Sequence, residues 1–525
     1  MWFVSHRGEV VCLDAEGFHD SEDDGPIRGE WDRLFNDKVK QPNRLEELLD
    51  TLKRGRLTNW LRWEFDRADM PLPSNAMVVS VEDGKRWKIT AQVRGARRRF
   101  ELRLDGTKLE AYKAVTPAAK EEADVVWRFD LRKELKVFPF KNVHANANQT
   151  CSPAAYRDRI YVVTGNGTEQ KSPKIPAPDA PSLVCFDKLT GKVLWTDSSP
   201  GENILEGQFS SPLVVEIDGR AQVIVGQGDG WVRSFDALTG KLIWKFDINR
   251  KESKWRLDSG DRGTRNSILA TPVFCKGRVY IGGGQVLEHG EGPGRLVCID
   301  PRRTGDISSE LAVDANRRAL PHRRYQAVLR KQGEKVIPNP NSGLIWEYSG
   351  VDQNENGKLE FEEGFHCTIS SVVIKDDLLV AVDVSGLVSC FHARTGERHW
   401  VYDVFCSVNG SPLIVDDRVY VPDEDGDVAI FRFSSDPDVA MKKVDGEYRP
   451  LAEISMDSSV DGSPVFANGV LYIASGSTLW AIAKSKAKPA PVGASVPHPI
   501  TKEAKPCDCS HRPALLPSGF KWRRP

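Results

Sequence analysis

The chain has 525 residues, of which 40% are hydrophobic, and its 73 Lys and Arg against 74 Asp and Glu give a formal net charge of -1. A chain of this length and apolar content can bury a large core, and its near-neutral charge provides no general attraction to nucleic acid or to an anionic membrane. We therefore expect no nucleic-acid partner. The sequence contains no run of about 18 apolar residues, so it predicts no membrane-spanning helix.

The first fourteen residues have the pattern of strands and not that of a signal peptide. Gly8 to Leu13 reads Gly-x-Val-x-Cys-Leu, and a strand of this kind recurs six more times along the chain. The other copies begin at Pro181, Gly230, Gly294, Gly386, Gly426 and Ser477. Seven copies of one strand predict a repeat architecture.

A long insertion, residues 15–124, separates the first strand from Val125-Val126-Trp127. Asn43 is expected to cap a helix, and Gly55 is expected to end it. On one face of this helix recur Leu45, Leu48, Leu49 and Leu52. The insertion therefore begins with an amphipathic helix.

From Met77 the insertion changes to alternating apolar and polar residues. Asp83-Gly84 and Asp105-Gly106 punctuate this part, which predicts a small antiparallel meander. Arg94 and Arg97 to Arg99 form a basic turn. Such a turn either holds an anionic partner or is a solvated loop.

Three stretches place a Thr-Gly turn between two apolar runs, the second of which contains a Trp; they are Cys185 to Trp195, Ser234 to Trp244 and Cys390 to Trp400. Most copies of the repeat also carry an upstream Ser-Pro or Thr-Pro and two β-rich runs, so each unit has four strands. About seven such units predict a β-propeller, because each blade can then pack between two neighbours. The recurring Trp is expected to lie flat against the next blade.

We therefore predict an all-β chain, a β-propeller of about seven, or eight, four-stranded blades with a small α+β insertion in the first blade. The propeller is expected to comprise residues 1–14 and 125–484, with the α+β insertion at 15–124 and a second insertion at 306–343. Residues 485–525 are rich in Pro and are expected to form a flexible tail outside the ring.

A further local motif lies between two predicted strands, at residues 349–366. Asp352 to Glu363 fits the twelve-residue calcium loop at every specified position. The expected ligands are the side chains of Asp352, Asn354, Asn356 and Glu363 and the carbonyl of Lys358. Because the flanking segments read as strands, we do not expect the two helices that enclose this loop in an EF-hand. The motif has two interpretations, a weak structural Ca²⁺ site and a vestigial acidic loop.

The three Thr-Gly stretches share the sequence motif (Cys/Ser)-Phe-(Asp/His)-x-x-Thr-Gly-x-x-x-Trp. This motif resembles the tryptophan-docking motif of the pyrroloquinoline-quinone-type (PQQ-like) β-propeller repeat. Quinoprotein alcohol dehydrogenases share this repeat with the propeller lipoprotein of the outer-membrane β-barrel assembly machinery. The resemblance implies two alternative functions. We favour a non-catalytic scaffold that binds a protein partner or a small ligand on a propeller face, and the alternative is a PQQ-dependent alcohol or sugar dehydrogenase.

The dehydrogenase alternative implies a quinone and Ca²⁺ held over the propeller axis by a carboxylate and an amide. The candidates in loops between strands are Glu202, Asn203, Asp261, Asn266, Glu288 and His289, and Arg262 and Arg265 are available to pair with an anionic ligand. No spacing identifies a catalytic residue, and we expect capping and turn chemistry, and not cofactor binding, to account for these residues. The adjacent cysteines that usually accompany the quinone in these enzymes are absent.

The resemblance also implies a compartment, because relatives of this fold commonly work outside the cytoplasm. The first blade lacks its Ser/Thr-Pro strand, so either the sequence begins too late or a strand from the other end of the chain closes the ring. We therefore expect the periplasm or cell envelope, with the cytoplasm as the alternative. Cysteines at equivalent strand positions, such as Cys185 and Cys390, are expected to be buried and reduced.

Overall fold

The computed structural model describes residues 1–5, 8–14, 31–39, 42–68, 70–82, 84–93, 96–114, 125–139, 151–168, 174–250, 253, 265–284, 294–320 and 328–483. Within these residues, seven small sheets follow one another along the chain, and an α+β module is inserted into the first. This is the β-propeller that the repeat predicts.

Sheet 1 begins with β1 (Trp2–Val4) and β2 (Glu9–Leu13), which form an antiparallel pair. The chain then enters the inserted module, whose elements are β3 (Trp31–Lys38), α1 (Pro42–Lys53), α2 (Asn59–Arg67), β4 (Met77–Glu82), β5 (Arg86–Val93), β6 (Ala96–Asp105) and β7 (Lys108–Ala114). It returns to sheet 1 as β8 (Val125–Asp130), beside β2, and continues into the short helix α3 (Leu131–Glu134).

The remaining sheets follow in chain order. Sheet 2 contains β9 (Ala154–Tyr156), β10 (Arg159–Val163), β11 (Leu183–Asp187) and β12 (Val193–Asp197), and a 3-10 turn follows at Gly201–Asn203. Sheet 3 contains β13 (Leu213–Ile217), β14 (Arg220–Gly226), β15 (Trp231–Asp236) and β16 (Leu242–Asp247). Sheet 4 begins with β17 (Val273–Cys275), β18 (Arg278–Gly283) and β19 (Arg295–Ile299).

An insertion interrupts sheet 4, with β20 (Gly305–Asp306), β21 (Glu310–Val313), a 3-10 turn at Arg330–Gln332 and β22 (Lys335–Pro338), before β23 (Leu344–Tyr348) completes the sheet. Sheet 5 contains β24 (Val373–Lys375), β25 (Leu378–Val382), β26 (Leu387–His392) and β27 (Arg398–Asp403).

Sheet 6 contains β28 (Leu413–Val415), β29 (Arg418–Pro422) and β30 (Asp427–Arg432), and α4 (Pro437–Ala440), β31 (Lys442–Val444) and β32 (Glu447–Arg449) precede its last strand, β33 (Ala452–Ser455). Sheet 7 contains β34 (Val465–Ala467), β35 (Val470–Ala474) and β36 (Leu479–Ala483).

Three of the seven sheets have a number of described strands other than four. β20 pairs in parallel with β16 and gives sheet 3 a fifth strand. Sheets 1 and 7 each have three described strands. The repeat therefore sets the basic unit, and the insertion between the third and fourth strands of sheet 4 adds to the outer edge of its neighbour.

The inserted module differs from the sequence expectation in its helices. The first helix begins at Pro42, so Asn43 lies inside the first turn and is not the cap; Pro suits this position because the first helical N–H has no partner within the helix. The helix α2 was not predicted, and Thr58 caps it by accepting a hydrogen bond from the Leu61 N–H at 3.1 Å. The meander from Met77 is present and gains β3 beside β7.

Alternating residues of each strand in the middle of the ring pack against opposite neighbours. In sheet 2, Ile160 and Val162 belong to the core shared with sheet 1, whereas Tyr161 and Val163 belong to the core shared with sheet 3. Because strand side chains alternate between faces, a strand that is covered on both sides reads as a continuous apolar run. The third strand behaves in the same way, with Val184 in the first core and Leu183 in the second, which explains the apolar third strands of the repeat.

The docking Trp joins consecutive sheets. Its indole N–H donates to a backbone carbonyl in the following sheet: Trp127 to Lys188 at 3.1 Å, Trp195 to Ala237 at 3.1 Å, Trp346 to Ala393 at 2.9 Å and Trp400 to Ser434 at 2.9 Å. The Gly of the Thr-Gly turn lies under the ring, since a Cβ on Gly191 would be 2.6 Å from Trp127. Gly240 and Gly396 meet the indoles of Trp195 and Trp346 in the same way, and all three glycines have positive φ. The Gly and the Trp of the motif are thus two halves of one contact between neighbours.

Trp244 is an exception. It is fully buried, but its indole N–H donates to Gln222 in its own sheet, at 3.1 Å. The parallel strand β20 lies beside it, with Trp244 opposite Gly305. The junction between sheets 3 and 4 therefore uses an added strand beside the indole.

Replacing a docking indole should destabilise the protein much more than replacing an exposed one. We expect Trp195→Ala to lower the free energy of unfolding by about 3 kcal/mol, since it removes both ring contacts and the hydrogen bond to Ala237. Urea unfolding measures this change. The control is Trp63→Ala, whose side chain is 55% exposed and which should cost much less. Equal losses in the two variants would contradict the docking role.

Candidate functional site

The loop from Asp352 to Glu363 is organised around two carboxylates. Glu363 accepts hydrogen bonds from the N–H groups of Gln353 and Glu360 at 2.9 and 3.0 Å. Asp352 accepts from Asn356 and Gly357 at 3.2 and 2.8 Å. Donation by backbone N–H groups, that of Glu360 foremost, lowers the pKa of Glu363, so its carboxylate is ionised at neutral pH.

The amide side chains of the loop lie close to these carboxylates. The Asn356 N–H is 3.0 Å from Asn354 Oδ1 as well as 3.2 Å from Asp352 Oδ1, so the two oxygens approach one donor. Asn356 Oδ1 in turn accepts from the Lys358 N–H at 2.8 Å. Gly357 has a φ of +81°, which permits the bend between these residues. The loop gathers the oxygens that hard cations prefer.

The surroundings of this loop differ from those of an EF-hand loop, which lies between two helices. It connects β23 to β24, and a bridge between Gly350 and Gly364 closes its base. Leu359, the apolar residue of the loop, is 48% exposed and covers Gly350. In the part of the chain that the structure describes, no cluster of three or more His, Cys, Asp or Glu side chains forms a metal site. A cation here would depend on two carboxylates supplemented by amide and carbonyl oxygens.

The quinone candidates in the described residues have structural contacts. Asn266 is buried, its N–H donates to Asn249 Oδ1 at 2.6 Å, and its side-chain amide donates to the Ile248 carbonyl at 3.4 Å. Arg265 donates to the carbonyl of Asn203 at 3.3 Å, and Glu202 is exposed on the same 3-10 turn as Asn203. Asp261, Arg262, Glu288 and His289 lie outside the described residues. The side-chain N–H of Asn266 is thus engaged within the fold. The cofactor-binding role of these candidate residues stays a prediction.

A buried ion pair was not recognised in the sequence. Arg233 donates to both carboxylate oxygens of Asp229, at 3.0 and 2.8 Å, and the two side chains are 8% and 0% exposed. Close by, the Lys245 ammonium lies 4.5 Å from the Trp231 ring centroid and 3.5 Å from Asp306 of β20. The contact between Lys245 and Asp306 attaches the insertion to sheet 3. The only signal in the sequence is Asp229-Gly230-Trp231, which reads as a turn.

The solvent-facing side of the module's sheet is basic. Trp87, Ile89 and Ala91 point into the module's core, so Arg86 and Lys88 lie on the opposite face of β5. On the neighbouring strand, β6, Arg103 and Arg99 pair with Arg86 and Thr90 and share that face. Lys88 and Arg99 are exposed.

One buried carboxylate organises this face. Glu101 is 1% exposed and accepts from Arg86 Nη2 and Arg103 Nε, both at 2.7 Å. Burial opposes ionisation of Glu101, but the hydrogen bonds from Arg103 and Arg86 outweigh it and lower the pKa of Glu101. The Arg103 guanidinium also lies 4.2 Å from the ring centroid of Tyr112. Glu110 of β7 lies opposite Arg103 on the same face, so the excess of positive charge comes from the exposed Lys88 and Arg99.

The cysteines at equivalent strand positions are free and buried. Burial raises the pKa of Cys185 and of Cys390 to about 12 and that of Cys298 to about 11. Such thiols are unreactive at neutral pH. They act as small apolar side chains in the third strands.

These features place the chain in the class of propellers built from PQQ-like repeats. The family model described as "Outer membrane protein assembly factor BamB" matches residues 106–334 and 343–491, and the chain belongs to this family. No curated protein matches the chain. No helix among the described residues is both long enough and apolar enough to cross a membrane.

Solved structures that resemble the chain include a BamB protein and two dehydrogenases. BamB from Moraxella catarrhalis shares 14% identity over 76% of this chain and 79% of its own, with a TM-score of 0.38. A europium-containing methanol dehydrogenase shares 13% identity over 76% and 81% of the two chains, with a TM-score of 0.34. The quinohemoprotein alcohol dehydrogenase ADHIIG from Pseudomonas putida HK5 shares 13% over 76% and 68%, with a TM-score of 0.33. These scores are low, and the family assignment rests on the matched residues.

One buried acid predicts a pH dependence of stability. Asp423 is 3% exposed, and burial raises its pKa to about 6. Its folded pKa thus exceeds its unfolded pKa, so the folded state gains stability as the pH falls from about 6 towards 4 and loses it again as the pH rises. We expect Asp423→Asn to stabilise the protein at pH 8 by about 1–2 kcal/mol more than at pH 4.5. Urea unfolding at both pH values measures this difference.

The control for this prediction is Asp218→Asn, at an exposed turn position. It should show no comparable difference between the two pH values. If Asp423→Asn changed stability equally at both, the carboxyl of Asp423 would not be perturbed as described.

Proposed function

We propose that the chain is a non-catalytic PQQ-like propeller scaffold of the cell envelope and that its inserted module binds an acidic surface on a protein partner. The observation that carries this proposal is the exposed basic face of the module's sheet. Membership of the BamB family supports a protein partner and an envelope location, since that family is described as an assembly factor for outer-membrane protein.

The composition of the face suits a protein surface. Beside Lys88 and Thr90, the edge strand β4 places Val79 and Met77, which are 56% and 64% exposed. Exposed apolar side chains next to guanidiniums provide both desolvation energy and charge selection at an interface. A partner with carboxylates around an apolar patch would complement this arrangement.

The module is suited to present this face rigidly. It has a hydrophobic core of its own, drawn from residues 39–111, with Trp87, Phe65 and Phe100 fully buried. Salt bridges from Arg86 and Arg103 to Glu101 fix the guanidiniums at its surface. A rigid surface loses little conformational entropy when a partner binds.

Charge reversal on the face tests the proposal. The double variant Lys88→Glu, Arg99→Glu leaves Glu101 and its two arginines in place, and we expect it to reduce recovery of the co-purifying envelope protein about tenfold. Recovery is quantified by mass spectrometry after cross-linking in cells. The matched control, Lys192→Glu, Lys241→Glu, reverses two exposed lysines on the propeller and should leave recovery unchanged. Equal recovery of partners by both double variants would overturn the proposed surface.

The non-catalytic part is tested separately. Purified protein incubated with PQQ and Ca²⁺ should neither retain stoichiometric quinone, measured by absorbance, nor reduce an artificial electron acceptor when alcohols or sugars are added. Retention together with reduction of the acceptor would show that the chain is a quinoprotein dehydrogenase.

We also propose that the loop from Asp352 to Glu363 binds Ca²⁺ weakly and in a structural role. The ligands would be the side chains of Asp352, Asn354, Asn356 and Glu363 and the Lys358 carbonyl. Support comes from the approach of their oxygens and from the ionised state of Glu363. Two of the side-chain ligands are neutral amides, so the affinity is expected to be low.

Millimolar Ca²⁺ should raise the thermal midpoint of the protein by a few degrees, because a ligand of the native state stabilises it by mass action. Glu363→Gln should abolish this increment, whereas the neighbouring Glu362→Gln should preserve it. Differential scanning calorimetry with and without Ca²⁺ measures both. An absent increment in the parent protein, or an undiminished one in Glu363→Gln, would contradict the site.

A further inference from the structure

The last sheet has an apolar edge that lacks a neighbour among the described residues. There β36 pairs with β35 alone, and all five of its residues are exposed. Leu479, Trp480 and Ile482 are 68%, 36% and 43% exposed. An edge of this kind exposes backbone hydrogen-bonding groups next to apolar side chains and is a template for one more strand.

A regularity in the other sheets shows what strand this edge fits. In five sheets, a small residue of the third strand lies directly opposite the Trp of the fourth: Cys12 and Trp127, Cys185 and Trp195, Ser234 and Trp244, Cys298 and Trp346, Cys390 and Trp400. The register shifts immediately after each of these small residues. The indole thus requires a short side chain across from it.

In sheet 6 the large residue lies on the third strand and the small residue lies opposite it. Its third strand carries Ile430 at this position, and the residue opposite is Ala452 and not a Trp. In sheet 7 the position is occupied by Ala481. The last sheet therefore has the small residue that lies opposite an indole in the other sheets. Its open edge at β36 can accommodate a fourth strand that contains a Trp.

A matching segment occurs near the C-terminus. Ser518-Gly519-Phe520-Lys521-Trp522 has the same spacing as Ser342-Gly343-Leu344-Ile345-Trp346. The latter segment leads into β23, the closing strand of sheet 4, which returns after an insertion at residues 300–343. Residues 484–517, which lie outside the described part, would be the corresponding insertion of sheet 7. Insertions between third and fourth strands also occur in sheets 1 and 6.

We propose that Ser518 to Arg524 is the fourth strand of sheet 7, antiparallel to β36, with Trp522 opposite Ala481. The register of sheet 4 then places Phe520 opposite Ile482 and Arg523 opposite Trp480. This strand covers the exposed edge and satisfies its backbone groups. The assignment is independent of the function proposed above, and it differs from the expectation that residues 485–525 lie outside the ring.

The proposed strand also provides a contact between the ends of the chain. The indoles of Trp127, Trp195, Trp346 and Trp400 each contact the sheet that follows in sequence. In a ring, the sheet that follows sheet 7 is sheet 1. Trp522 would therefore dock on sheet 1, beyond the end of β2, and close the propeller by the same contact that joins its other sheets.

Hydrogen exchange across β36 in the full chain tests this proposal. The amides of Leu479 to Ala483 that point to the open edge should be protected in the parent protein. They should exchange at least about tenfold faster in Trp522→Ala and after deletion of residues 518–525. Mass spectrometry of peptides that cover β36 measures the rates. Peptides from β14 and β15 serve as the folding control and should keep their protection in both variants.

Three further arms make the result decisive. A synthetic peptide of residues 514–525, added to the deletion variant, should restore protection of β36, and replacement of residues 485–517 by a Gly-Ser linker of equal length should preserve it. Trp63→Ala, which removes an exposed indole, should have no effect on β36. Equal exchange of β36 in the parent and deletion proteins would overturn the proposal. Protection that increases with protein concentration would also overturn it, because a second copy would then occupy the edge.

Discussion

An indole lying on a glycine turn is the contact on which this propeller depends. The ring of Trp195 covers Gly240, where a Cβ would come within 2.6 Å, and its N–H reaches the Ala237 carbonyl at 3.1 Å. Neither half of the contact is useful within a single sheet, because the turn belongs to the sheet after the one that supplies the Trp. The repeat therefore stabilises neighbours and not isolated units, as expected where stability comes largely from the interfaces between successive modules.

The departures from the contact occur beside insertions. Trp244 bonds within its own sheet where β20 adds to the outer edge, and sheet 6 has Ile430 opposite Ala452 where α4 and a hairpin precede its last strand. The largest insertion carries its own core and the basic face around Glu101. A uniform ring thus holds the chain together, while segments between third and fourth strands differ from sheet to sheet. Binding surfaces on such segments can change without affecting the contacts between the sheets.

Much of the fold could be predicted because its signals are local and repeated. The Thr-Gly turn, the third strand and the Trp recur within a few residues of each other, and their chemistry identifies the β-propeller. The parts that the sequence did not reveal lack such signals. The strand Gly305–Asp306 is too short to show an alternation of apolar and polar residues, and β3 mixes charged with apolar residues. The helix α2 is short, and its apolar face is narrow.

The calcium-loop pattern could be recognised because all of its candidate ligands lie within twelve consecutive positions. Of the basic face, the sequence indicates Arg99, within a basic segment, but not the pair Arg86 and Glu101, because these two residues meet only through the register of β5 and β6. Asn266 is a candidate because of its place in a loop, and what the sequence does not reveal is its burial and its hydrogen bonds to Asn249 and Ile248.

The exchange of indole hydrogens with solvent tests the docking contact most directly. In protein labelled with ¹⁵N-tryptophan, the indole N–H groups of Trp127, Trp195, Trp346 and Trp400 should exchange slowly, because each donates to a carbonyl of the next sheet. The exposed Trp63 should exchange within the dead time of the experiment. If the four docking indoles exchanged as fast as that of Trp63, the sheets would not be joined in the way described.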